Sequence, residues 1–159
     1  MIEFRKITHE NLHEIINLTV AENQSKFVSP NSASIMDAYV AITNDGIAMP
    51  FGIYADGKAI GFIMFTYGHK KDENIPTIAY HNYCIWRFMI DVKYQGQGYG
   101  KAAIQEAVKY MRSFPCGIAE YCWLNYEPDN IAAKTFYQKC GFKEIEQRFY
   151  GEIVAILEL

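Results

Sequence analysis

The chain has 159 residues, 50% of them hydrophobic, a formal net charge of −3 at pH 7 and a pI near 5.8. That length suits one domain with a sizeable core, and the acidic balance excludes a partner such as a nucleic-acid backbone, which demands a basic face; a cationic or small-molecule partner fits it. The N-terminus, "MIEFRKITHE", alternates charge and hydrophobe where a signal peptide is apolar, and the longest apolar stretch, "AIGFIMF" at 59–65, is far short of the roughly 18 residues of a bilayer span, so a cytoplasmic protein without a membrane segment is expected.

In chain order, "EFRKI" at 3–7 reads as a first strand, and Thr8 is placed to cap a helix with Leu12, Ile15, Ile16 and Leu18 on one face. "ENQSKFVSPNSAS", 22–34, breaks that pattern with polar residues and Pro30, and a second helix is expected to carry Ile35, Ala38, Tyr39 and Ile42. "FGIYADGKAIGFIMFTYG" is a hairpin, because Asp56-Gly57 supplies the positive-φ turn between two strand-like runs. "YCIWRFMIDV" at 83–92 is rich in aromatic and β-branched residues and reads as a central strand. It runs into "YQGQGYGKAA", 94–103, after which Ala103, Ile104, Ala107, Val108 and Met111 recur at helical spacing. "GIAEYCWLNY", 117–126, is a further strand, "DNIAAKTFYQKCGF" is a helix closed by Gly141, and two last strands flank Gly151.

No repeat, low-complexity tract or linker divides the chain, so residues 1–159 are expected to form a single domain. Hairpins combined with one strand-helix-strand-helix stretch predict an α+β fold on a mixed, mostly antiparallel sheet flanked by about four helices. Cys84, Cys116, Cys122 and Cys140 form no CxxC pair and the four histidines have no ligand spacing, which predicts buried free thiols and no metal site.

The comb of Gly96, Gly98 and Gly100 lies between a strand and a helix, where exposed amides and the helix dipole favour an anion such as a pyrophosphate. A dinucleotide fingerprint requires glycines at its first, third and sixth places, and here they hold the first, third and fifth, although Glu120 lies near the place of a ribose-binding acid. A P-loop requires Ser or Thr after the lysine, and Ala102 stands there.

"VKYQGQGYGKAA" resembles the [QR]-x-x-G-x-[GA] turn of the Gcn5-related N-acetyltransferase (GNAT) family, and a second family signature follows in "NIAAKTFYQKCGF". The resemblance implies the GNAT-like acyltransferase fold with acetyl-coenzyme A as co-substrate, its pyrophosphate gripped by Gln95, Gly96, Gln97, Gly98, Tyr99, Gly100 and Lys101. It also implies that backbone groups of Phe88, Met89 and Ile90 pair with the pantetheine like another strand, while Asn130 orients either the cofactor or the helix start. Tyr137 is the expected catalytic residue, a phenol placed to protonate or hydrogen-bond the leaving thiolate.

"AENQSKFVSPNSASIMDAYV", "WRFMIDVKYQGQGYG" and "YEPDNIAAKTFY" are similar to the bacterial spermine/spermidine acetyltransferase branch. That implies a polyamine or diamine acceptor attacking directly in a ternary complex, with Glu22, Phe27, Trp86 and Tyr126 as the expected substrate-binding residues, the aromatic ones through cation–π contact. Candidates for the base are Glu22, Asp91, Glu120 and Glu127. The resemblance also implies a homodimer. Two other readings stay open: a different acceptor, such as a protein N-terminus, a lysine or an aminoglycoside, and a non-catalytic coenzyme-A-binding module.

Overall fold

The computed structural model describes residues 1–70 and 72–159. Seven strands form a sheet in the order β1-β2-β3-β4-β5-β7-β6: β1 (Ile2–Lys6), β2 (Met49–Ala55), β3 (Lys58–Tyr67), β4 (Tyr83–Ile90), β5 (Tyr121–Tyr126), β6 (Lys143–Phe149) and β7 (Glu152–Glu158). The α-helices are α1 (Leu12–Ile16), α2 (Asn31–Thr43), α3 (Tyr99–Arg112) and α4 (Ile131–Lys139). The β4–β5 pair is parallel, whereas β1–β2, β2–β3, β5–β7 and β6–β7 are antiparallel. This is the mixed, mostly antiparallel sheet with four helices that the sequence predicts.

The contacts divide the chain into two compact units. The first comprises Met1–Phe65 and Arg87–Glu106. Its hairpin turns at Asp56 (φ 49°) and Gly57 (φ 77°), the left-handed pair that a two-residue connection between twisted strands requires. The rings of Phe4, Phe51 and Phe65 pack at 6.0 to 6.1 Å between centroids. At Gly61 an added Cβ would lie 2.4 Å from the Met89 carbonyl oxygen, so only glycine lets β3 approach β4 this closely.

Two expectations in this unit are corrected. Helix α1 is short: its N-cap is Asn11, the Thr8 hydroxyl instead accepts from the Glu10 amide at 3.3 Å, and Leu18 falls beyond the last turn. In α2, Ala38 is buried, but Tyr39 and Ile42 are 70% and 54% exposed. The buried side of that helix carries Asn31 and Ser34 as well. Asn31 is 3% exposed, and its amide donates to the Ile15 carbonyl at 2.9 Å and faces the Met89 sulfur at 3.7 Å. Its hydrogen bonds make a polar side chain tolerable there.

The second unit comprises Thr66–Trp86 and Ala107–Leu159. Ala79, Cys84, Trp123 and Val154 form a buried cluster, with Trp86, Ile145 and Phe149 packed against it. Tyr83 is fully buried and its hydroxyl donates to the Gly117 carbonyl at 2.9 Å while accepting from the Cys116 amide at 2.9 Å. Residues 117–120, expected to extend β5, instead serve as such partners, with Asn82 Oδ1 accepting from the Glu120 and Tyr121 amides at 3.1 and 2.8 Å. Asn130 Oδ1 accepts from the Ala133 amide at 3.1 Å, so Asn130 is the N-cap of α4, and Gly141 (φ 99°) follows its last turn.

Gly61→Ala is expected to destabilise the fold by about 1–3 kcal/mol, because the clash is with backbone and cannot be relieved by a rotamer change. Denaturant unfolding measures this; an unchanged midpoint would mean that β3 and β4 can separate without cost.

Candidate active site

In the first unit the end of β4 is fixed before the glycines begin. Asp91, 4% exposed, accepts from the Thr19 amide with Oδ2 at 2.9 Å and from the Lys93 amide with Oδ1 at 3.0 Å. Its own amide donates to the Ile60 carbonyl at 2.9 Å, its carbonyl accepts from the Tyr94 amide at 2.8 Å, and the Val92 amide donates to the Thr19 carbonyl at 2.8 Å. With both carboxylate oxygens held by backbone donors, Asp91 is a structural clamp, which corrects its candidacy as the base.

Gln95 then folds the comb back on this anchor. Its Nε2 donates to the Ile90 carbonyl at 2.8 Å and to Gln24 Oε1 at 2.9 Å. Gln24 lies in the 3₁₀ turn Glu22–Gln24, whose first residue is the exposed Glu22. Gln97 Nε2 donates to the Lys93 carbonyl at 3.0 Å. Gly96 (φ 73°) and Gly98 (φ 85°) are left-handed, and an added Cβ at either meets nothing within 4 Å. Their requirement is therefore the backbone angle, and the space beside them is open. Tyr99, Gly100 and Lys101 begin α3, and the Ala102 amide closes its first turn on the Gly98 carbonyl at 3.2 Å. The amides of that first turn are those a helix cannot bond internally. Lys101 is exposed at the positive end of the dipole, an unfavourable place for a cation unless an anion is bound beside it.

Phe88, Met89 and Ile90 are at the C-terminal end of β4, past the register Tyr83↔Cys122 and Cys84↔Trp123 that pairs β4 with β5. The side chains of Met89 and Ile90 are buried, and the Ile90 carbonyl accepts from Gln95. Phe27 is half-buried, and the cation over its ring is the chain's own Lys26 ammonium, 4.4 Å from the centroid.

In the second unit, Tyr137 on α4 stacks on Tyr126 at 6.1 Å and 13°, and meets Phe136 and Phe142 edge-on at 5.2 and 5.7 Å. Tyr137 is half-buried, and its hydroxyl has no hydrogen-bond partner among the described residues. Burial, followed by the neighbouring Cys140, Cys122, Cys84 and Tyr126, pushes its phenol well above the ordinary tyrosine range. It therefore stays protonated, a donor without an acceptor. Tyr126 is 5% exposed and its hydroxyl donates to Glu144 Oε1 at 2.8 Å. Trp86 is half-buried against the cluster around Trp123.

Among the described residues no group of His, Cys, Asp and Glu is arranged to hold a metal ion, and no helix is long and apolar enough to cross a membrane. The four cysteines are free thiols, but only Cys84 and Cys122 are buried, Cys116 and Cys140 being half-buried; burial pushes the Cys122 thiol far upward, which leaves it un-ionised and a poor nucleophile. Asn31, Gln24 and Glu144 carried no sequence signal of their own. Glu144 belongs to no motif, and Gln24 and Asn31 stand inside "AENQSKFVSPNSASIMDAYV" without their partners being visible.

The profile of the acetyltransferase (GNAT) family matches residues 12–142. The chain is similar over 99% of its length, and 99% of the relative's, to the spermine/spermidine N(1)-acetyltransferase of Bacillus subtilis strain 168, at 29% identity. Its fold is similar to the PaiA N-acetyltransferase of Thermoplasma acidophilum solved with coenzyme A, at 20% identity and a TM-score of 0.66 over 100% of this chain and 99% of that one. It is also similar to the aminoglycoside acetyltransferase AAC(6')-Ib solved with coenzyme A, at 14% identity and a TM-score of 0.74 over 99% and 95% of the two chains.

Asp91→Ala is expected to cost about 1–3 kcal/mol of stability by removing the acceptor of two part-buried amide hydrogen bonds, with Asp91→Asn, which keeps one acceptor oxygen, losing less. Chemical denaturation of the three proteins checks the order; equal stabilities would show the clamp to be dispensable.

Proposed function

The chain belongs to the acetyltransferase (GNAT) family, and we propose that it transfers acetyl from acetyl-coenzyme A to a primary amine of a polyamine or diamine of the spermine/spermidine type, by direct attack in a ternary complex. The observation that carries the choice of acceptor is the end-to-end similarity to a spermine/spermidine acetyltransferase. The net charge of −3 is consistent with a polycationic substrate.

The comb fits the co-substrate on its own geometry: two left-handed glycines open to solvent, a helix start whose first amides point outward, and Lys101 beside them. Gln95 acts as the brace that holds this loop, because both protons of its amide are already given to Ile90 and Gln24. Phe88, Met89 and Ile90 supply main-chain groups for the pantetheine. Asn130, whose side-chain oxygen caps α4, contributes by fixing the start of the helix that bears Tyr137. Glu22 is the carboxylate for the amine: it is exposed and lies two residues before the Gln24 that touches the comb brace. Trp86 and Phe27 offer apolar surface, with a substrate ammonium at Phe27 exchanging for that of Lys26.

Acetyl-coenzyme A brings an activated thioester, in which the carbonyl carbon gains a bond to the amine nitrogen and loses its bond to sulfur. The chain must manage two protons. An amine with a pKa near 10.4 costs about 4.6 kcal/mol to deprotonate at pH 7, and the base that takes its proton need only be within reach of water. Tyr137 gives the departing sulfur a hydrogen bond. Because its phenol is pushed above the usual tyrosine value, full proton transfer to a thiolate is more uphill than the roughly 1.5 units separating an ordinary tyrosine from a thiol. Hydrogen bonding to the thiolate is therefore the larger part of its role, and solvent delivers the final proton.

Thiol release with spermidine, spermine, putrescine, a lysine peptide and an aminoglycoside tests the acceptor; turnover confined to the peptide or the aminoglycoside would overturn the polyamine reading, and coenzyme A binding without turnover would leave a binding module. Tyr137→Phe is expected to lower kcat by about 10- to 100-fold with KM for acetyl-coenzyme A changed less than about twofold. With spermidine, kcat/KM is expected to climb between about pH 7 and pH 9 as the free amine accumulates, and the raised phenol pKa means that Tyr137 does not deprotonate and cut that climb short. A descending limb in this window, absent from Tyr137→Phe, would contradict the assignment.

A further inference from the structure

Among the described residues nothing holds the Tyr137 hydroxyl, and the packing of its ring is what orients it there. Phe136 is its neighbour in sequence and Phe142 closes the same helix, with the Phe142 amide donating to the Tyr137 carbonyl at 3.0 Å. Both meet it edge-on, at 65° and 69°. Tyr126 is different: it comes from another element, the last residue of β5, and lies nearly parallel to Tyr137, at 13°. The plane of Tyr137 therefore follows the plane of Tyr126.

Tyr126 is held in turn. Its hydroxyl donates to Glu144 Oε1 at 2.8 Å, and the Lys134 ammonium lies 3.1 Å from Oε1 and 3.3 Å from Oε2 of the same carboxylate. Glu144 belongs to β6 and Lys134 to α4, one turn before Tyr137 on the same helix. The contacts close a ring: Tyr137 to Tyr126 by stacking, Tyr126 to Glu144 by a hydrogen bond, Glu144 to Lys134 by an ion pair, and Lys134 to Tyr137 along α4. The hydrogen bond from Tyr126 and then that from Lys134 hold the Glu144 carboxyl below its usual range, so it is ionised wherever the enzyme would work. Burial and then Glu144 raise the Tyr126 phenol, so the donor keeps its proton.

We infer that Tyr126 and Glu144 are positioning residues for the proposed acetyl transfer: the Glu144 carboxylate fixes the Tyr126 ring, and that ring sets the direction of the Tyr137 hydroxyl. The inference rests on the reading of Tyr137 as donor to the leaving sulfur. It gives Tyr126 a role different from facing a substrate ammonium, since its hydroxyl is spent on Glu144 and one face of its ring on Tyr137.

The test is a double-mutant cycle of Glu144→Ala with Tyr137→Phe, alongside Tyr126→Phe, Glu144→Gln and a thermal unfolding check on each. Glu144→Ala and Tyr126→Phe are expected to lose about tenfold in kcat with KM for acetyl-coenzyme A unchanged, Glu144→Gln to recover most of the loss because it still accepts from Tyr126, and Glu144→Ala to cost nothing further once Tyr137 is Phe. A loss of the same size in the Tyr137→Phe background overturns the positioning claim and leaves the role of Tyr137 standing. Full kcat in Tyr137→Phe overturns both. Should no amine be acetylated, the ring-carbon resonances of labelled tyrosine decide: the Tyr137 signal, assigned by its loss in Tyr137→Phe, is expected to move in Glu144→Ala and not in Glu144→Gln, and a signal unmoved in both overturns the inference.

Discussion

A buried carboxylate at the end of the central strand organises everything placed after it. Among the described residues, the partners of the Asp91 carboxyl group are two backbone amides, of Thr19 and Lys93. Each amide donates to a different oxygen of the carboxyl group, so one side chain holds both segments. The consequence is geometric. The chain leaves β4 in one direction, Gln95 reaches back to the Ile90 carbonyl, and the two left-handed glycines open onto solvent in front of a helix start. The same anchor draws in Thr19, and through Gln95 the comb is tied to the 3₁₀ turn that carries Glu22.

In the second unit, the proposed transfer asks for a Tyr137 hydroxyl that is aimed yet free to bind something else. A hydroxyl already bonded to protein would compete with its ligand, so orientation has to come from the ring. Four aromatic residues, Tyr126, Phe136, Tyr137 and Phe142, meet around α4. Removing water from Tyr137 keeps it protonated and strengthens any hydrogen bond it gives. Burial thus favours a donor here at the expense of an acid, which suits a leaving group that is itself weakly basic.

How much of this the sequence disclosed depends on whether the determining interaction was local. The Asp56-Gly57 turn, the Gly141 helix end and the comb itself were legible because each is a requirement on a residue's own φ. The length of α1 was not: Leu18 continues the helical spacing, but Thr19 gives its amide to Asp91 and its carbonyl to the amide of Val92, far along the chain, and the helix stops short. The buried side of α2 was misread for a related reason. Asn31 looks like a surface residue until the Ile15 carbonyl is seen to accept from it, whereas Tyr39 and Ile42 look like core and stand in solvent. Tyr137 is singled out in the sequence by its place in a motif, whereas Glu144 sits in a strand whose alternating polar residues mark it only as an outward-facing acid. Its value depends on Tyr126 and Lys134 arriving from two other elements.

The central claim is that the comb after β4 seats the pyrophosphate of coenzyme A. Amide hydrogen exchange across residues 95–101, compared for the free protein, with coenzyme A and with pantetheine lacking the pyrophosphate, tests it most directly. The account predicts strong slowing of exchange at Gly98 through Lys101 with coenzyme A and little with pantetheine at equal occupancy. Exchange at those amides that is the same with coenzyme A as without it, while the protein is saturated, would contradict the account.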